Sequence, residues 1–221
     1  MTFHLITIFP EIFDSYLKEG ILRRAQLKEK VVFKVYDLRD FTADKHRTVD
    51  DTPYGGGPGM VLKIEPIYKC LEEIKKEIKR DNSKAKIKIL LTSAKGSQFN
   101  QAKAEEWKKL TDLIIICGRY EGVDERVAQK LVDQEISVGQ YVLTGGELPA
   151  LIIVDVVTRL VPDVLGNEES LSCESHSSEA TSDYPVYTKP EVFNNWKVPK
   201  VLLSGNHGKI SQWRKEQRRD I

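Results

Sequence analysis

Apolar residues recur along this chain in two rhythms. Runs at Leu5 to Phe9, Val31 to Tyr36, Ile87 to Leu91 and Leu113 to Cys117 are short and rich in β-branched residues. The last is unbroken, as a strand buried on both faces requires. Between the runs the spacing becomes helical. From Pro66 to Lys79, Ile67, Cys70, Leu71, Ile74 and Ile78 form one stripe at i, i+3, i+4, i+7 and i+11, with Lys and Glu on the other face. Gln98 to Leu110, Asp124 to Val132 and a segment containing Val154 to Leu160 are further helix candidates. Strands alternating with helices predict an α/β fold with a mostly parallel sheet covered on both faces.

The alternation stops near Pro162. From Asp163 to Tyr184 there are six acidic residues and no Lys or Arg, in a serine-rich stretch poor in large apolar side chains. Such a segment cannot bury enough surface to fold alone and reads as a flexible linker, 163–185. The tail, 186–221, reverses the charge. Its eight Lys or Arg face three acids, a local excess of +5 that the whole-chain value of +1 conceals. Trp196 and Trp213 punctuate it. The expected organisation is a core domain over 1–162, the linker, and a basic helical domain.

Several classes of protein are disfavoured. The longest apolar runs fall far short of the roughly 20 residues that a membrane span needs, and the N-terminus lacks a signal peptide's basic region and cleavage site. Cys70, Cys117 and Cys173 form neither a disulfide framework nor a Cys-x-x-Cys site, so a reducing cytoplasm is expected. The four histidines make no zinc-type set, and no Gly-x-Ser-x-Gly elbow anchors serine catalysis.

Candidate chemistry lies in three Gly-rich segments. Residues 50–60, from Asp50 through Gly55, Gly56, Gly57 and Gly59 to Met60, suit only a loop. That loop is neither a Walker loop nor a dinucleotide fingerprint. Residues 116–125 carry a strand end into Gly118-Arg119-Tyr120-Glu121-Gly122, where ligands collect in open α/β sheets. The same pattern also fits an ordinary turn capped by Asp124. Residues 136–150 interleave Val138, Tyr141 and Leu143 with glycines, which suits a flat heterocycle with a polar tail better than a phosphate. Asp155 and Arg159 have the spacing of a surface i,i+4 pair.

Taken together, Cys117 to Arg126, Val138 to Ala150, Thr48 to Met60 and the late Leu203-Ser204-Gly205-Asn206-His207 resemble the bacterial tRNA guanine-N1 methyltransferases, in order and over nearly the whole chain. The resemblance implies a catalytic domain of the deep trefoil-knot (SPOUT-like) class, a small helical C-terminal domain and a homodimer. It implies methylation of N1 of the guanine 3′ of the anticodon, guanosine-37, using S-adenosylmethionine, with tRNA rather than DNA or a membrane as partner. The cofactor residues so implied are Leu91, Thr92 and Ser93; Gly118, Arg119, Tyr120 and Glu121; and Val138, Gly139, Gln140, Tyr141, Val142, Leu143, Gly145, Gly146 and Pro149.

Guanine N1 carries a proton, so the reaction needs a general base there and a donor for the charge that spreads onto O6. By resemblance Arg159 takes the second role. The family's base is an aspartate in a Ser-x-x-x-Asp-Ser-Phe pattern. Here the stretch reads Ser170-Leu171-Ser172-Cys173-Glu174-Ser175-His176, which makes Glu174 the expected base and His176 its rival. A second departure is Thr92-Ser93-Ala94-Lys95-Gly96, where the family has Pro-Gln before the glycine. The family is helped by magnesium, for which Glu121 and Glu174 are candidate ligands. Two competing functions are ribose 2′-hydroxyl methylation on the same fold and a non-catalytic RNA-binding module built on the basic tail.

Overall fold

The computed structural model describes residues 1–166 and 183–218. The chain divides into two compact units, Met1–Gly166 and Asn167–Ile221. In the first, β1 (Thr2–Thr7), β2 (Val32–Asp37), β5 (Ile87–Gln98), β6 (Asp112–Cys117) and β7 (Gln134–Ser137) form one sheet in the order β2-β1-β6-β5-β7. Every pairing in it is parallel. All of β6 is buried, as its unbroken apolar run requires.

Helices cover both faces. On one side α3 (Ile64–Asp81) lays Ile67, Cys70, Leu71 and Ile74 onto a core shared with Ile6, Leu91, Ile114 and Ile116, beside α5 (Glu125–Lys130). On the other, α6 (Glu147–Leu160) contacts β1 and β6, with α1 (Ile12–Leu17), α2 (Gly20–Leu27) and α4 (Gln101–Trp107) around it. The α/β class and parallel sheet are therefore as expected.

The details differ from the pattern in instructive ways. The first strand ends at Thr7, whose hydroxyl accepts the Phe9 amide at 2.9 Å and turns the chain before Pro10. The fourth helix begins only at Gln101, because Asn100 caps it by accepting the Lys103 amide. Helix α6 starts seven residues before Val154, with Pro149 in its first turn, where a missing amide costs nothing. The Gly-rich stretch is pinned at its base: β3 (Asp50–Asp51) and β4 (Val61–Leu62) pair antiparallel, and Glu121 donates its amide to the Met60 carbonyl at 3.0 Å.

In the second unit, β8 (Val192–Phe193) and β9 (Trp196–Lys197) form a hairpin, followed by α7 (Lys200–Leu203) and α8 (His207–Glu216). Asn206 caps α8 by accepting the Lys209 amide at 3.1 Å. Tyr187 packs on Trp213, and the Arg214 guanidinium lies over Tyr184. No residue in the described part of this unit is buried.

Candidate active site

Strands β5, β6 and β7 are neighbours, and the segments after their carboxyl ends meet. The ladder of β5 with β7 breaks between Thr92 and Ser97, both of which pair with Ile136, and resumes in a shifted register, so residues 93–96 leave it while both flanks stay clamped. The Thr92 hydroxyl donates to the Ile116 carbonyl at 3.1 Å and accepts the Gly118 amide at 3.3 Å. Gly146 in turn donates to the Gly118 carbonyl at 2.8 Å. A Cβ on Gly146 would collide with the Thr92 hydroxyl and come within 2.7 Å of the Gly118 nitrogen, so only glycine permits this stitching.

A buried ion pair fixes the same junction. Glu147, 1% exposed, accepts from the Thr7 hydroxyl at 2.7 Å and from Arg119 Nε at 2.9 Å. Arg119 also donates to the Thr144 carbonyl at 3.1 Å and lies 4.7 Å over the Phe9 ring. Its backbone bridges to Gly145, where any Cβ would strike the guanidinium. Next to it Tyr120 holds the left-handed region at φ 60°, a conformation that bulky residues keep only where the surroundings impose it. Burial, then the Glu147 carboxylate, push the Cys117 thiol well above its ordinary range, so it is not a nucleophile.

These segments enclose a cavity of about 500 Å³, walled by residues 91–95, 118–123, 135–139 and 141–146, with Glu125, Ala128 and Pro149. Of the cofactor residues expected from sequence, Gln140 alone does not line it. The wall also includes Lys95, Glu125 and Glu135. Lys95 Nζ contacts Glu125 at 2.6 Å and lies 3.8 Å from Glu135 Oε1, an oxygen buried without a hydrogen-bond partner. Opposite charges at positions 95, 125 and 135 share no sequence periodicity, so nothing in the pattern announced them. Glu147 was also missed, although a carboxylate between Gly146 and an apolar helix is a usable signal.

Of the two expected catalytic residues, Arg159 alone falls within the described residues. Arg159 lies in the last turn of α6 and does not line the cavity. Its neighbour Asp155 is half-buried. Desolvation raises the Asp155 carboxyl above its usual range, against the opposing Arg159 charge and a hydrogen bond from Tyr16. Glu174 and its rival His176 lie outside the described residues. Among the described residues no group of three or more His, Cys, Asp or Glu side chains could hold a metal ion, and Glu174, a candidate magnesium ligand, is not among them.

A family model described as tRNA (Guanine-1)-methyltransferase TrmD matches residues 1–220. The chain belongs to this methyltransferase family. Similar proteins named tRNA (guanine-N(1)-)-methyltransferase come from Dictyoglomus turgidum, 54% identical over 96% of this chain and 83% of that protein, and from Clostridioides difficile, 48% identical over 98% and 92%. A crystal structure of tRNA (m1G37) methyltransferase from Aquifex aeolicus superposes with a TM-score of 0.78 at 42% identity, covering 96% of this chain and 87% of that one. Membership in a methyltransferase family implies a methyl donor. The cavity suits a nucleoside-like donor in volume and in its mix of Val138, Tyr141, Leu143 and Pro149 with bare backbone. No helix among the described residues is long and apolar enough to cross a membrane.

Proposed function

We propose that this chain transfers a methyl group from S-adenosylmethionine to N1 of guanosine-37, 3′ of the anticodon, in tRNA. One observation carries the reading within the molecule: the segments that the family resemblance assigns to the cofactor converge on a single cavity at the carboxyl end of the sheet. The bound cofactor supplies an electrophilic methyl carbon. The chain's own residues hold it and prepare the guanine.

Arg119, committed to Glu147 and the Thr144 carbonyl, braces the loops rather than meeting the ligand with a free charge. The apolar wall takes the heterocycle. Glu174 removes the proton from guanine N1, and Arg159 donates to O6 as negative charge develops there. We place the chain in the cytoplasm as a homodimer with a trefoil-knotted catalytic domain, a linker, and a basic C-terminal domain for tRNA. Support for the dimer comes from an exposed apolar strip formed by Ile12 and Tyr16 on α1 and by Leu148 and Ile152 on α6. Arg159 shares the helix of that strip rather than the cavity, and we assign its role at O6 to a site completed by the second subunit. Magnesium is an assistant whose ligands would include Glu121.

Methyl transfer to tRNA transcripts differing only at position 37 tests the reading. Guanosine-37 transcripts should yield N1-methylguanosine, and adenosine-37 transcripts should stay unmodified. A 2′-O-methylated product would move the chain to the ribose-methylating class. Retention of tRNA without any transfer would leave a binding module.

A further inference from the structure

The hairpin of the second unit is small and unusually apolar at its surface. Strands β8 and β9 contribute two residues each, paired Val192 with Lys197 and Phe193 with Trp196. The turn between them, Asn194-Asn195, has φ 47° and 64°, the left-handed pair of a tight hairpin turn, which Asn tolerates. Opposite residues of a hairpin share a face. Phe193 and Trp196 accordingly stand side by side, ring centroids 6.0 Å apart and tilted by 56°. Both rings face outward, Phe193 58% and Trp196 72% exposed.

Where none of a unit's described residues is buried, a bare Trp–Phe pair on the surface is not there for the unit's own packing. The charge around the pair says what covers it. Residues 183–218 carry seven Lys or Arg against three acids, and Lys197 and Lys200, close to the pair in sequence, are both exposed. An exposed aromatic pair on a basic unit is the chemistry that stacks unpaired nucleobases while holding their phosphates.

We infer that the Phe193–Trp196 hairpin is a stacking platform for an unpaired base of the tRNA. This rests on the tRNA reading above and adds to it a contact residue and a type of contact. Trp196 takes the base face-on, Phe193 sets the ring's tilt from across the strand pair, and the lysines meet the adjoining phosphates.

The test uses the full-length protein and a tRNA transcript, comparing wild type with Trp196→Ala, Trp196→Phe and Lys197→Ala. Stacking on an aromatic ring supports one base by roughly 1–3 kcal/mol, so Trp196→Ala should weaken tRNA binding by roughly 5- to 150-fold. Trp196→Phe should restore most of the affinity. Lys197→Ala should act mainly through the salt dependence. Affinity for S-adenosylmethionine and sedimentation mass should stay at wild-type values in every variant. If wild type itself failed to bind tRNA, the functional reading would fail. If wild type bound and Trp196→Ala bound within twofold of it, the platform alone would fail. A shift in sedimentation mass with Trp196→Ala would assign the rings to a second copy of the chain, and a loss of thermal stability would assign them to the chain's own packing. Either result overturns the proposal.

Discussion

The two ends of the parallel sheet both hold buried polar groups, and they differ in what those groups are left free to do. At the amino end His4, 1% exposed, engages Asp112 Oδ1 through Nε2 at 3.1 Å and the Tyr36 hydroxyl through Nδ1 at 2.9 Å. A neutral ring that donates from Nε2 must accept at Nδ1, so the single Tyr36 proton points at His4. Glu77, 3.4 Å from that hydroxyl, is served by Lys34 at 2.7 Å. Each group here has a partner, and the set closes on itself. At the carboxyl end the bonds stitch loops together around an open volume, and Glu135 Oε1 has no hydrogen-bond partner. Polarity that is satisfied internally stabilises a fold. Polarity arranged around space is what a ligand can use.

The contrast is broken most strongly at the brace. Glu147→Gln should leave the partly buried Arg119 against a neutral amide, at a cost of about 3 kcal/mol. Urea denaturation should register that loss, and a stability within about 1 kcal/mol of wild type would show that the pair is not a brace. Next comes the chemistry. With Glu174 as the base, Glu174→Gln should slow single-turnover transfer by roughly a hundredfold or more, while S-adenosylmethionine binding barely changes. His176→Ala should be much milder. A rate within a fewfold of wild type in Glu174→Gln sinks that assignment, and a severe loss in His176→Ala alone transfers it to the histidine.

The smallest effect belongs to the amino end. Burial is the largest influence on His4 and lowers its affinity for a proton, outweighing the Asp112 carboxylate, with Lys34 lowering and Glu77 raising it further. The groups facing it are Lys34, Tyr36, Glu77 and Asp112. The unfolded chain binds this proton near pH 6.5, whereas the folded chain resists it. Stability is therefore fully present above about pH 6.5 and falls as the pH drops below it, by at most about 1.4 kcal/mol per unit from this group. His4→Gln should flatten that part of the urea midpoint profile. An unchanged slope would mean that other groups carry the acid sensitivity.

Much of the fold was legible because it rests on local patterns. The unbroken run Leu113 to Cys117 and the stripe from Ile67 to Ile78 each solve their burial within one element. Strand β7 was not legible, since Gln134 and Glu135 sit at a sheet edge where only Ile136 and Ser137 are buried. Helices α1 and α2 are too short for a stripe to repeat. In the site, the glycines marked the loops correctly, because a close backbone approach leaves a compositional trace. The Arg119–Glu147 and Lys95–Glu125 pairs join residues about 30 apart, and no periodicity encodes such partners. His4 offered one imidazole in an apolar run, with nothing to announce Asp112 over a hundred positions later.

The strand order has a consequence for how this chain emerges from the ribosome. Strand β1 pairs on one edge with β2, Thr2 beside Val32, but on the other edge with β6, Thr2 beside Asp112. At roughly 5–20 residues per second, the second partner is synthesised some 5–20 s after the first strand. Throughout that interval Phe3, Leu5 and Ile6, all fully buried in the finished sheet, border an open hydrogen-bonding edge on a nascent chain. An unpaired apolar edge of that kind is a template on which a neighbouring nascent chain can add a strand.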